Sequence, residues 1–123
     1  ALRDRMGVNV QHDRNPQFVQ LSDGSIRNAY TVKILNMLQE PRIIFLSLEG
    51  LPGATMTVAG VDQPEGVSFA IPVDPDKLRA LRVFIKQPQQ LVKGGSSEFQ
   101  LVAQDKQSNE TDVYDAVFEA PAR

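Results

Sequence analysis

The sequence predicts an all-β sandwich, on three observations. Apolar residues alternate with polar ones in run after run, turn signals rich in Gly, Pro, Asp and Asn recur every ~8–12 residues, and no long stretch repeats with helical spacing. Alternate side chains of a strand face opposite sides, so each such run buries one face and wets the other. With 123 residues, 41% of them hydrophobic and 23% charged, the chain can build one ordinary core and is read as one domain over residues 1–123.

The elements follow in order. Ala1 to Arg5 is polar and is expected to fray as a leader. Met6, Val8 and Val10 share a parity and mark a short first strand, placed at an edge. Asp13-Arg14-Asn15-Pro16 breaks it, because Pro16 has no amide hydrogen and drives Asn15 towards an extended conformation. Phe18 to Leu21 is a brief extended segment leading to the turn Ser22-Asp23-Gly24-Ser25, where Gly24 supplies a positive φ. From Ile26 the strongest strand begins. Ile26, Tyr30, Val32 and Ile34 fall on one parity, and Arg27, Thr31 and Lys33 on the other. Asn28 interrupts the apolar parity, Asn36 closes the run, and this strand is placed at the centre of the fold.

Beyond the polar link Gln39-Glu40-Pro41, Arg42 to Glu49 carries Ile44, Leu46 and Leu48 on one face. Gly50-Leu51-Pro52-Gly53 is a strong turn. Ala54 to Ala59 follows as a strand with Met56 and Val58 inward, then a period-two run of Val67, Phe69, Ile71 and Val73. Asp74-Pro75-Asp76-Lys77 is the one place where a helical turn is expected, capped by Asp74 with Pro75 in its first position. Leu81, Val83 and Ile85 mark the next strand, which ends at Pro88. Loops at Gln87 to Gln90 and Gly94-Gly95-Ser96 flank Leu91-Val92. The last two strands, Glu98 to Asp105 and Thr111 to Glu119, are joined by a polar hairpin loop. Seven or eight mostly antiparallel strands in this length give an immunoglobulin-like β-sandwich as the leading reading. Cys and Trp are absent, so there is no disulfide, and Tyr30, Phe69, Phe99 and Phe118 are expected to fill the core.

Composition narrows the chemistry. The net charge of −2 comes from 13 basic and 15 acidic residues spread along the chain, with no basic block to track a phosphate backbone. Without cysteine, this chain cannot supply disulfides, cysteine metal sites, iron–sulfur ligands or a thiol nucleophile. Its longest apolar run, around Ile43 to Leu48, falls far short of the ~20 residues that cross a bilayer, and no signal peptide is read at its start. His12 is the only histidine and reads as a strand-edge residue rather than a triad member. The pairs Asp74 with Asp76 and Asp112 with Asp115 stand amid no other catalytic groups, and Asp62 to Glu65 lacks the spacing of a calcium loop. Gly94 to Ser97 precedes a strand rather than a helix, so it reads as a flexible loop, not a phosphate cradle. Met6, Met37 and Met56 with His12 give an alternative, a copper-handling domain with soft copper(I) ligands, although scattered methionines read first as core filler. No catalytic, cofactor-binding or metal-ligating residue is predicted, and the chain reads as a non-catalytic module.

The stretch DRNPQFVQLSDGSIRNAYTVKILN, Asp13 to Asn36, resembles the opening of the carboxy-terminal domain of the FixG/CcoG family of cytochrome c oxidase accessory proteins. The resemblance rests on Asp13-Arg14-Asn15, on Leu21 through Tyr30 with its Asp23-Gly24 and Ile26-Arg27-Asn28, and on Asn36. Glu49 to Gly53 and Val117 to Pro121 are similar to later family landmarks, in the same order. It implies a bacterial inner-membrane parent protein, polyferredoxin-like, with several transmembrane helices and 4Fe-4S clusters. Such parents serve assembly of cbb-type cytochrome c oxidase, with a part in copper redox handling. The domain itself is then expected to be immunoglobulin-like, to face the periplasm and to meet protein partners in oxidase assembly. Membrane attachment falls to upstream segments, nucleic acid is no partner, and no cluster ligand carries over to this chain.

The same resemblance gives the matching residues structural or interaction roles. Asn28 is expected between strand and turn, its amide bonding main-chain groups, with Asn36 doing the same at the strand's far end. Asp13, Arg14 and Arg27 are expected to form a charged network joining the leader to the central strand. A sharper version has Arg14, Asn15, Asp23 and Arg27 present a polar face to a membrane-side partner. A carbohydrate-binding sandwich is the weakest reading, since only two Tyr and no Trp are present and Tyr30 points inward.

Overall fold

A computed structural model describes residues 6–13 and 18–121 of the chain. The expectations for the leader, Arg14, Asn15 and Pro16 lie outside the described residues. Nine strands follow one another: β1 (Met6–His12), β2 (Val19–Gln20), β3 (Ile26–Asn36), β4 (Arg42–Glu49), β5 (Thr55–Val58), β6 (Ser68–Val73), β7 (Leu78–Gln87), β8 (Gly95–Asp105) and β9 (Glu110–Ala120). The strand beyond the expected seven or eight is β2, which the extended segment forms by pairing with the start of β3.

Two antiparallel sheets result. The first runs β1-β3-β7-β5, with β2 sharing the β1 side of β3, and the second runs β6-β4-β8-β9. The period-two pattern explains the assembly: along β3, Ile26, Tyr30, Val32 and Ile34 are buried while Lys33 and Leu35 face out. Ile44, Leu46, Phe69, Ile71, Phe99, Leu101 and Phe118 meet them from the second sheet. Tyr30, Phe69, Phe99 and Phe118 are the largest fully buried side chains, as the sequence predicts, and Tyr30 packs edge-on against Phe99 at 5.8 Å. Burying one such side chain contributes roughly 1.5–3 kcal/mol, so this aromatic set anchors the sandwich without a disulfide.

Four expectations are corrected. Asp74 to Lys77 is a tight turn, not a helical one, with Asp76 at φ 52°. There the chain passes from β6 in the second sheet to β7 in the first within four residues. β8 begins at Gly95, so Gly95, Ser96 and Ser97 are paired with Ala120, Glu119 and Phe118 instead of forming a loop. Backbone pairing holds Ser96 and Ser97 extended although their side chains give no apolar signal, and Gly95 enters the strand at φ 73°. A short 3₁₀ turn over Gln89–Leu91 stands where a plain loop is expected. Val67 is exposed and precedes β6, where its carbonyl accepts a hydrogen bond from the Leu48 amide at 2.8 Å.

Candidate docking cleft

The motif residues of β3 do their work across the sandwich. Asn28 is wholly buried inside the strand, two residues from its start, and not between strand and turn. Its parity sends it inward, where an unpaired amide would be costly. The cost is met by the main chain of β9: the Asn28 amide nitrogen donates to the Glu119 carbonyl at 2.8 Å, and its oxygen accepts from the Glu119 amide at 2.8 Å. Tyr30, two residues on and also fully buried, donates its hydroxyl to the Val117 carbonyl at 2.6 Å. Burial, with Glu119 nearby, pushes the Tyr30 hydroxyl far above its ordinary range, so it remains a donor at any physiological pH. Asn36 fastens the other end of β3. Its amide nitrogen donates to the carbonyls of Glu40 at 2.9 Å and Val73 at 3.2 Å, and its oxygen accepts from the Leu38 amide at 2.9 Å.

The turn before β3 behaves as its residues dictate. Gly24 has φ 90°, and a Cβ there would stand 2.3 Å from the Gln89 side-chain oxygen. The Asp23 carboxylate accepts from the Ser25 amide at 2.9 Å, and that bond holds its pKa below the usual value.

Asp13 and Arg27 stand on the outer side of the first sheet, but not as one ion pair. Asp13 pairs with Arg82 of β7 at 2.7 Å and accepts from the Thr31 hydroxyl at 3.1 Å. Arg27 lies over the Phe84 ring at 4.9 Å, and Arg82 approaches the same ring at 5.3 Å. An arginine on an aromatic face gains ~0.5–1 kcal/mol at an exposed site, less than the rotamer entropy lost on fixing the side chain, so the ring biases both guanidinium groups without locking them. Arg82 and Phe84 are not among the candidates drawn from the sequence. Their signal was their place on the wet parity of β7, directly opposite Thr31 and Ala29 of β3.

These groups share a cleft of about 1340 Å³ that runs from the outer side of the first sheet, past β1, to the edge of β9. Val10, His12, Arg27, Tyr30, Phe84, Asp115 and Val117 are among its walls. His12 stacks on Tyr30 at 4.7 Å. The candidate copper ligands are not brought together. Met6 and Met56 are fully buried on β1 and β5, opposite edges of the first sheet; three inter-strand spacings part those edges by about 14 Å, and the register offsets the two residues by a further ~26 Å along the strands. His12 lies six residues along β1 from Met6, roughly 20 Å away. Met37 is exposed beyond the end of β3. Met6 and Met56 fill the core.

Comparison with known proteins agrees with the architecture. Residues 1–121 match the family described as "IG-like fold at C-terminal of FixG, putative oxidoreductase". The chain is 50% identical over 119 residues to nitrogen fixation protein FixG of Rhizobium meliloti (strain 1021), covering 97% of the chain and 23% of that protein. It is 35% identical over 88 residues to protein RdxA of Cereibacter sphaeroides, covering 72% of the chain and 18% of that protein. The chain thus spans less than a quarter of the length of these relatives. Among solved structures, a FixG-related protein from Vibrio parahaemolyticus superposes with a TM-score of 0.78 at 22% identity, covering 94% of this chain and 96% of that one. With the family match along almost the whole chain and half of its residues shared with FixG, the chain belongs to the family of immunoglobulin-like C-terminal domains of FixG.

Proposed function

We propose that this chain is the non-catalytic interaction domain of a membrane-bound, FixG/CcoG-like iron–sulfur protein, that it faces the periplasm, and that it supports assembly of cbb-type cytochrome c oxidase. The carrying observation is the 50% identity to FixG over 97% of the chain. The geometry is in keeping with it: the motif's polar side chains Asn28, Tyr30 and Asn36 spend their hydrogen bonds on main-chain groups that hold the sheets together. A rigid sandwich of this kind presents loops, edges and outer faces to partners. In this reading the redox chemistry belongs to the rest of the parent protein and the domain supplies a docking surface.

The test uses the full-length parent in its bacterium. Protease added to spheroplasts is expected to remove this domain while the membrane seal is intact. Deleting the domain is expected to abolish cbb-type oxidase activity and to leave the iron–sulfur spectrum of the purified parent unchanged. Protection of the domain in spheroplasts contradicts the location, and full oxidase activity after deletion contradicts the role.

A further inference from the structure

Among the described residues the two sheets end at β6, β5 and β9 and, on the β1 side of β3, at β1 with β2. At β6, the Gln63 side-chain amide exchanges two hydrogen bonds with the Ala70 main chain, at 2.7 and 3.1 Å. Pro72, next along that edge, has no amide hydrogen, and its carbonyl accepts from Arg79. At β5, Met56 and Gly66 exchange main-chain hydrogen bonds at 2.7 and 3.2 Å. Both edges are sealed against further pairing, as exposed edges in natural sheets generally are.

β9 is sealed over only part of its length. Its pairing with β8 runs without a bulge from Glu110 to Ala120, so main-chain groups of alternate residues point away from β8. Glu119 and Val117 belong to that outward set, because Asn28 and Tyr30 bind them from β3. By the same alternation Asp115, Val113 and Thr111 also point outward, and among the described residues their main-chain N–H and C=O groups have no protein partner. Val113 is 51% exposed.

β1 is the fourth edge, and it supplies a floor. Asn28 and Tyr30 point inward from β3 and reach the outer edge of β9, so the second sheet ends where β3 and β1 both approach β9. Val8 and Val10, on the inner face of β1, are accordingly only partly buried. One more strand beside β9 would lie over them. A strand added to β1 instead would find no such floor.

We infer that β9, from Thr111 to Val117, takes an extended segment of a partner protein as a fifth strand of the second sheet. The segment turns alternate apolar side chains onto Val8 and Val10 and sets a basic side chain beside Asp115. Strand addition draws its affinity from main-chain hydrogen bonds and its selectivity from alternate side chains. Charge selects the basic partner: Asp115 is exposed on this edge, and Gln107 to Ala120 holds neither lysine nor arginine. A second copy pairing through its own β9 would set acid against acid. The inference rests on the interaction-domain reading above.

The test uses the 123-residue chain and a synthetic octapeptide, Lys-Val-Thr-Val-Lys-Val-Thr-Val, followed by amide hydrogen exchange. In the free chain the amides of Thr111, Val113 and Asp115 are expected to exchange rapidly, and the peptide is expected to slow them at least tenfold. Asp115→Lys, or glutamate for lysine in the peptide, should weaken binding tenfold or more. Val113→Pro should abolish it while the fold persists, since the Val113 amide does not face β8. Three results overturn the inference: protection of these amides in the free chain, protection that rises with protein concentration alone, or equal peptide binding by Val113→Pro and Asp115→Lys. In the full-length parent, oxidase assembly that survives Val113→Pro but not domain deletion also overturns it and leaves the function reading standing. Assembly that survives deletion removes the function reading itself.

Discussion

Tyr30 and Asn28 tie β3 to β9 across the sandwich through three hydrogen bonds. Tyr30→Phe keeps the ring and removes the hydroxyl, leaving the Val117 carbonyl without its partner. Urea unfolding should show a loss of about 1–3 kcal/mol. Asn28→Ala strips both main-chain groups of Glu119 and should cost more than Tyr30→Phe in the same assay. An unchanged midpoint in either variant would show that these bonds do not fasten the sheets. The raised Tyr30 pKa fixes a pH response. Below the unfolded value of ~10 its contribution is fully present. As pH rises above that value the unfolded state loses its proton first, so stability falls by up to ~1.4 kcal/mol per unit. Comparing wild type with Tyr30→Phe from pH 9 to 11.5 isolates this decline, because lysines titrate alike in both. At this scale the sequence is partly legible. Tyr30's inward parity could be read directly, and Asn28's parity was a clue to burial, but its partner lies 91 residues away on β9. No local pattern encodes that distance.

Elements were the most legible scale where apolar alternation is strong, and least where backbone pairing alone holds the chain extended. β3, β4 and the Met56–Val58 segment emerge from their parities. The start of β8 does not, since Ser96 and Ser97 owe their conformation to β9. Asp74 to Lys77 misleads for a related reason: Asp-Pro favours a helix start, but the sheets on either side dictate a crossing turn. The turn before β3 is the reverse case, legible because its glycine is required. Gly24→Ala must hold an L-residue at φ 90° and push aside the Gln89 side chain. It should lower stability by about 1–2 kcal/mol, read as a shifted thermal midpoint. A neutral result would mean that the turn relaxes to another conformation at no cost.

For the whole molecule, the sandwich and its aromatic core could be derived from periodicity, and family motifs carried the chain's kinship. Surfaces could not. The stack of Arg27, Phe84 and Arg82 needs β3 beside β7, and the cleft needs β1, β3 and β9 gathered on one side. Those neighbourhoods follow from strand order, which turn signals and alternation leave open. The Asp13 ion pair shows the consequence: the expected network joins Asp13 to Arg14 and Arg27, whereas among the described residues its ion-pair partner is Arg82, 69 residues along the chain. A sandwich could serve its parent merely by being folded, or through the particular surface it presents, and the second alternative is the central claim. The most direct test exchanges this domain, in the full-length parent, for an unrelated immunoglobulin-like sandwich of similar size. Iron–sulfur spectra and membrane insertion at wild-type level, together with loss of cbb-type oxidase assembly, are the predicted result. Assembly at wild-type level with the foreign sandwich would contradict it.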